Sequence, residues 1–411
     1  DSEKHGRALC ELFGAYGWTE SVFEMLYLAN HFLTRGINYF IPHAFSMSYG
    51  DKDCPPHFYA EGKNPAFKGY KKLFAYMSEM SEKFSGGMEE CDVAVLYHDE
   101  AEWSGKPFMP CDNVAKVLTQ SQIEFDFVYG DVLSKTSDFD YKFLIVPFCE
   151  YLTPETRRKL DALKEKVVYV DKKVSLECLP EYLFNNGVER RITTHCKDLR
   201  IYSYLKYGKK IGLLFNESGK KIEFRLNTDK KLYAFDYCAN KGFIIYNSDV
   251  VLAPAQCVFV AEEKIYDCGY GELMQSAENI TEFDVFLRDN EETRFKHYKK
   301  TRLPFDVNGK NELPNFCGEI EYRFLIKGQG GVLEVDYDGE YCELTVGDNM
   351  QTSIGGKAFF VLPVSSKDYI VSLKIANTLS YKIFDDLSKY SYNSAACIYS
   401  VKQVIRDKTC R

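Results

Sequence analysis

The sequence predicts an α/β first half followed by an all-β second half, divided among several domains. Three observations carry this. Up to about residue 197, apolar runs of strand length alternate with stretches whose apolar residues recur at helical spacing. After about residue 198 the helical period disappears, and short apolar runs divided by turn residues remain. The chain has 411 residues, 45% hydrophobic and 27% charged, which suits two to four ordinary domains with cores of their own.

The segment 7–13, RALCELF, predicts a short buried strand, and AYGWT turns the chain. Val22, Phe23, Leu26, Ala29 and Leu33 mark one face of a helix over 19–35, which Gly36 ends. INYFIPHAF, 37–45, predicts a second buried strand. A loop rich in Gly, Pro, Asp and aromatics runs to Pro65. Phe67, Tyr70, Phe74, Met77 and Met80 then share a helix face over 67–85, before Gly86-Gly87. Strand, helix, strand, loop, helix is the order of two units with parallel strands and right-handed crossover, over 1–86.

The runs DVAVLYH (92–98), FDFVYG (125–130), FLIVPF (143–148) and VVYVD (167–171), with helices near 111–121 and 154–165, predict a small doubly wound sheet over 87–197. KIGLLFN, KIEFRL, KLYAFDY and CVFVAEE predict a small antiparallel β domain over 198–264. EIEYRFLI, VLEVDY, YCELTV, AFFVLPV and YIVSLKIA predict a β-sandwich over 265–411. No internal repeat or low-complexity tract is present.

The net charge of −8 and the lack of a basic stripe argue against nucleic-acid binding. No apolar run is long enough to span a bilayer. The 14 cysteines are scattered without zinc-site spacing, several within apolar runs (Cys10, Cys149, Cys342), as free thiols of a reducing, cytoplasmic compartment are. The start, DSEKHGRAL, reads as the middle of a protein, so an extracytoplasmic location stays open. Aromatics make up 15%, which suits both pleated β surfaces and stacking on sugar rings.

Glu11 is the leading candidate for chemistry. It lies in an apolar strand, and a carboxylate at the C-terminal end of a barrel strand points into the mouth where barrel enzymes work. The other reading is a buried Glu paired with Arg7 or His43. Trp18 either stacks on a pyranose ring or caps the fold. His43 ends the second strand, near Glu11, to bind a hydroxyl, orient the carboxylate, or serve as a satisfied core group. Asp51, Asp53 and His57 lie in one loop without a metal-ligand spacing, so neither a metal nor a cofactor is expected. Cys149 follows FLIVPF without the glycines of a nucleophile elbow and is expected to be structural.

The stretch CELFGAYGW…RGINYFIPHAFSMS…CPPHFY, continuing to DVAVLYHDEAEW, resembles the barrel end of clan A glycoside hydrolases. The layout is similar to family 42 β-galactosidases and to rhamnosidase-like proteins. The resemblance implies a partial (β/α)8 TIM barrel end followed by a flavodoxin-like module, which in family 42 is a trimerisation domain. It implies Glu11 as the nucleophile ending the seventh strand, INYFIPHAF as the eighth, and Trp18, His43 and His57 lining the sugar site. The tail, GVLEVDYDGEYCELTVGD…FFVLPV…YIVSLKIANT, resembles the galactose-binding-like sandwich of family 2, with Gly347-Asp348 where Asn-Gly is usual. The implied function is hydrolysis of plant or host glycans. The family's acid/base glutamate, on the fourth barrel strand, has no counterpart here, so the 411 residues alone are expected to be inactive. The alternative is a non-catalytic carbohydrate-binding protein that forms homo-oligomers through the flavodoxin-like module.

Overall fold

The structure, a computed structural model, describes residues 6–48, 50–264, 266, 274–384 and 396–406. Two compact units emerge. One takes in the described residues up to Ser85, Tyr233–Ile244 and those from Lys264 on; the other is Gly86–Leu232 with Ile245–Glu263.

The first unit opens with β1 (Leu9–Leu12), α1 (Val22–Leu33), β2 (Tyr39–Pro42) and α2 (Phe67–Lys83). The two strands pair in parallel, with Leu9 opposite Tyr39 and Glu11 opposite Ile41. Helix α1 starts at a capping box: Ser21 Oγ accepts the Glu24 N–H, and the Glu24 carboxylate accepts the Ser21 N–H at 2.9 Å. It ends before Gly36, whose φ of 83° is where a glycine C-cap belongs. The strands are shorter than the runs that announced them, and they are not buried on both faces. Leu12 is 5% exposed, while Leu9, Tyr39 and Ile41 are about half exposed on the other face, beside an exposed Glu11. Phe67, expected on the buried face of α2, is 40% exposed.

The same unit contains the sandwich. A six-stranded antiparallel sheet (Lys296–Thr301, Phe283–Asp289, Gly318–Ile326, Tyr369–Ala376, Cys342–Val346, Asn349–Ser353) faces a five-stranded sheet built on Cys397–Arg406, Gly331–Asp338 and Lys357–Leu362. Tyr322 and Leu373 of the first meet Leu333, Phe360 and Val401 of the second in one core. Gly347, with φ of 58°, makes the two-residue turn between Cys342–Val346 and Asn349–Ser353. Helix α2 lies against this sandwich. Lys68 Nζ reaches the buried carboxylates of Glu343 at 3.0 Å and Glu319 at 3.2 Å. A Cβ on Gly69 would stand 2.6 Å from the Glu340 carbonyl oxygen, so only glycine permits this approach. The Glu340 carboxylate accepts the Val22 N–H at 2.8 Å, adding negative charge where the α1 dipole favours it.

In the second unit, four parallel strands run in the order Phe125–Tyr129, Val93–Tyr97, Phe143–Val146, Val167–Tyr169. Both faces are covered, as a parallel sheet requires. Val93 and Val95 pack with Val114, Leu118 and Leu183 on one side; Ala94 and Leu96 pack with Leu133 and Leu160 on the other. The unit also holds the antiparallel strands Leu199–Lys206, Lys209–Asn216 and Cys257–Ala261, the short strand Met88–Glu89 beside the first of them, and the pair Ile222–Phe224 and Val250–Leu252. Every described cysteine is a free thiol, and no described helix is long and apolar enough to cross a membrane.

Candidate functional site

The C-terminal ends of β1 and β2 form the candidate site. Strand alternation puts Leu9 and Glu11 on one face with Tyr39 and Ile41. Glu11 is exposed, which corrects the reading of a buried carboxylate. The partners of that reading are engaged elsewhere: Arg7 lies over the Tyr39 ring at 5.6 Å, and His43 Nε2 is 3.4 Å from Asp53 Oδ2. The physical reason is that a two-stranded sheet with helices against one side leaves the other side in solvent.

Beyond Glu11 the chain turns sharply. Phe13 and Ala15 hold φ of 78° and 67°, a region that costs a side-chain-bearing residue about 1 kcal/mol or more. Phe13 is nonetheless fully buried, packed edge-on to Phe58 with centroids 6.5 Å apart. The turn closes on His43. Its backbone N–H donates to the Leu12 carbonyl at 2.8 Å, and a Cβ on Gly14 would be 3.3 Å from the imidazole Cγ. His43 Nδ1 is buried with no hydrogen-bond partner among the described residues.

Asp53, weighed from the sequence only as a metal ligand, is the residue that organises this loop. Its carboxylate faces His43, and its carbonyl oxygen lies 3.1 Å from His57 Nε2. Asp51, whose carboxylate accepts from Ser46 Oγ at 2.7 Å and the Asp53 N–H at 3.1 Å, is held below the usual carboxylate range by those bonds. His57 has no solvent exposure and sits edge-on to Trp18, centroids 5.2 Å apart. Trp18 packs toward Ala60, Cys317 and Leu379. Trp18 and His57 therefore come together as loop packing; Glu11 stands on the open face, while the His43 side chain, 21% exposed, packs at the strand end between Gly14 and Asp53. No group of three or more His, Cys, Asp or Glu among the described residues is placed to hold a metal.

An aromatic platform also went unread. Phe45, 59% exposed and three residues past β2, stacks on Tyr59 with centroids 5.4 Å apart and planes 16° apart, and Phe67 packs edge-on to both. INYFIPHAF gave only a strand signal, because periodicity does not tell a core aromatic from one past the strand's end. Cys149 is 7% exposed, and burial pushes its thiol up to about 11, against the pull of Lys172 and Arg157; the thiolate is disfavoured at neutral pH.

No protein-family model matches the sequence, and no curated protein matches it. Among solved structures, the chain is similar to a rhamnosidase from Novosphingobium sp. PP1Y, with a TM-score of 0.68 and 12% identity over 98% of this chain and 48% of that one. It thus spans about half the length of that rhamnosidase. Weaker likenesses are a β-galactosidase from Bacillus circulans sp. alkalophilus (TM-score 0.45, 10% identity, 61% of this chain and 54% of that one) and an exo-carrageenase from Bacteroides ovatus (TM-score 0.42, 11% identity, 60% and 40%). The fold of this chain is similar to that of the matched half of the Novosphingobium rhamnosidase.

Proposed function

We propose that the chain is the C-terminal part of a glycoside hydrolase acting on plant or host glycans, with β1 and β2 as the last two strands of its catalytic barrel. One observation carries this reading. A parallel strand pair, which normally buries both faces, presents one face open, and that face bears Glu11. Further barrel strands would turn this face into a lumen with Glu11 near its mouth. Glu11 is then the nucleophile and His43, held by Asp53, a hydroxyl-binding neighbour. Trp18 and His57 shape the loop behind the sugar, and the Phe45–Tyr59 stack offers a ring face to it. Retaining hydrolysis needs a second carboxyl group about 5 Å away as acid/base. We assign that group to barrel strands outside these 411 residues, which alone should turn over no substrate.

In the enzyme completed with those strands, Glu11→Gln should lower turnover on the order of a thousandfold or more and leave the melting temperature near wild type. The amide keeps the shape but neither attacks carbon nor stabilises an oxocarbenium-like charge. Wild-type turnover with lowered melting temperature would remove Glu11 from the mechanism. A second reading, a non-catalytic glycan-binding and assembly protein, is favoured by the edge strand Phe125–Tyr129, whose Phe127 and Tyr129 are 42% and 47% exposed. Association of the second unit through that strand, with no activity in the completed protein, would support it.

A further inference from the structure

We infer that the second unit carries its own binding cleft, built for a neutral, polyhydroxylated ligand of mono- or disaccharide size. The cleft measures about 710 Å³, within the range of small-molecule sites, and shares no residue with the Glu11 face. Its floor is the antiparallel sheet, where Ser203, Gly212 and Val260 form one row across three strands and Ile201 starts the next. Glycine in the middle of that row leaves the floor low, beside the apolar Ile201 and Val260. Such a surface suits the C–H face of a sugar ring.

The wall is pre-formed. Asn227 donates its N–H to the Arg191 carbonyl at 2.9 Å, and Thr193 donates its N–H to the Arg225 carbonyl at 3.0 Å, fixing a short ribbon over the floor. Arg191 is anchored from behind. Its guanidinium is 3.4 Å from Glu124, whose side chain is 8% exposed and also accepts the Ser203 N–H, and 3.0 Å from Glu189. The rim alternates in sign: Lys210 pairs with Glu90 at 2.8 Å, and Lys230 with Glu262 at 2.6 Å. Each cation already faces a carboxylate, so the rim gives little to a ligand with net charge. Adjacent donors and acceptors do match hydroxyl groups, each of which donates once and accepts twice. Glu124 acts through Arg191 and Ser203 and is a positioning residue.

The test is titration calorimetry of the 411-residue chain with glucose, galactose, rhamnose and lactose, and with glucuronate and glucosamine as charged probes. At least one neutral sugar should bind with a millimolar or tighter constant. Thr193→Trp, which adds bulk at the exposed ribbon, should weaken it tenfold or more without moving the melting temperature. Lys230→Ala, a surface change, should weaken it severalfold and serves where the tryptophan variant melts lower. No binding of any neutral sugar, binding that both variants leave unchanged, or tighter binding of a charged probe would overturn the proposal.

Discussion

Glu11 and Glu20 carry the same carboxyl group in opposite settings. Glu11 stands in solvent. Glu20 is 5% exposed, and neither of its oxygens has a hydrogen-bond partner among the described residues. Burial, with Glu24 and Glu340 nearby, pushes Glu20 up to about 9 from an ordinary 4.5. The folded chain thus keeps a proton that the unfolded chain releases between pH 4.5 and 9. This group's share of stability is full below 4.5, falls as pH rises through that window, and levels off above 9. Glu20→Gln should flatten the fall and raise stability at pH 8 by ~1–3 kcal/mol, measured by denaturant titration at pH 5 and pH 8. A slope unchanged by the substitution would place the ionisation elsewhere. Sequence flagged Glu11 because it interrupts an apolar run. It was silent on Glu20, whose neighbour Glu340 lies more than three hundred positions away.

Elements were legible where local chemistry settles them. Ser21 with Glu24, the apolar spacing of 22–33 and Gly36 define α1 without reference to the rest of the chain, and the observed helix follows them. The strands Phe283–Asp289, Lys296–Thr301 and Cys397–Arg406 were not read, because charged residues such as Asp284, Arg288, Lys299, Lys300 and Lys402 dilute the apolar run. They are strands because neighbours pair with them, which is a tertiary fact. Contact of α2 with the sandwich is equally non-local: Lys68 and Glu343 are 275 positions apart. That contact makes Gly69 a test of element against tertiary fit. Helix propensity alone favours Gly69→Ala by about 1 kcal/mol. The Glu340 carbonyl, 2.6 Å from the added methyl, and Val22 Cγ2, 3.0 Å away, oppose it. The melting temperature should fall, with net destabilisation of ~1–3 kcal/mol. A rise would mean that α2 sits more loosely on the sandwich than these distances say.

For the whole molecule, the sandwich is more than an appendage. An accessory domain should be removable, yet this part of the chain carries the carboxylates that neutralise Lys68 and the group that caps Val22. Ending the chain at Lys264 should therefore abolish the cooperative melting transition of the first unit, read by calorimetry. A truncated chain that melted as before would show β1, α1, β2 and α2 standing alone. The open side of β1 and β2 has a further consequence, in time rather than in chemistry. Among the described residues, each strand has a partner strand on one edge only, in a ladder four residues long. Amides of Leu9–Leu12 should exchange with deuterated solvent orders of magnitude faster than those of Tyr369–Ala376, which are flanked by strands on both sides. If further strands pair with this ladder, as the proposed barrel requires, that exchange should slow, so the deuterium clock of these four residues would record the moment of their arrival.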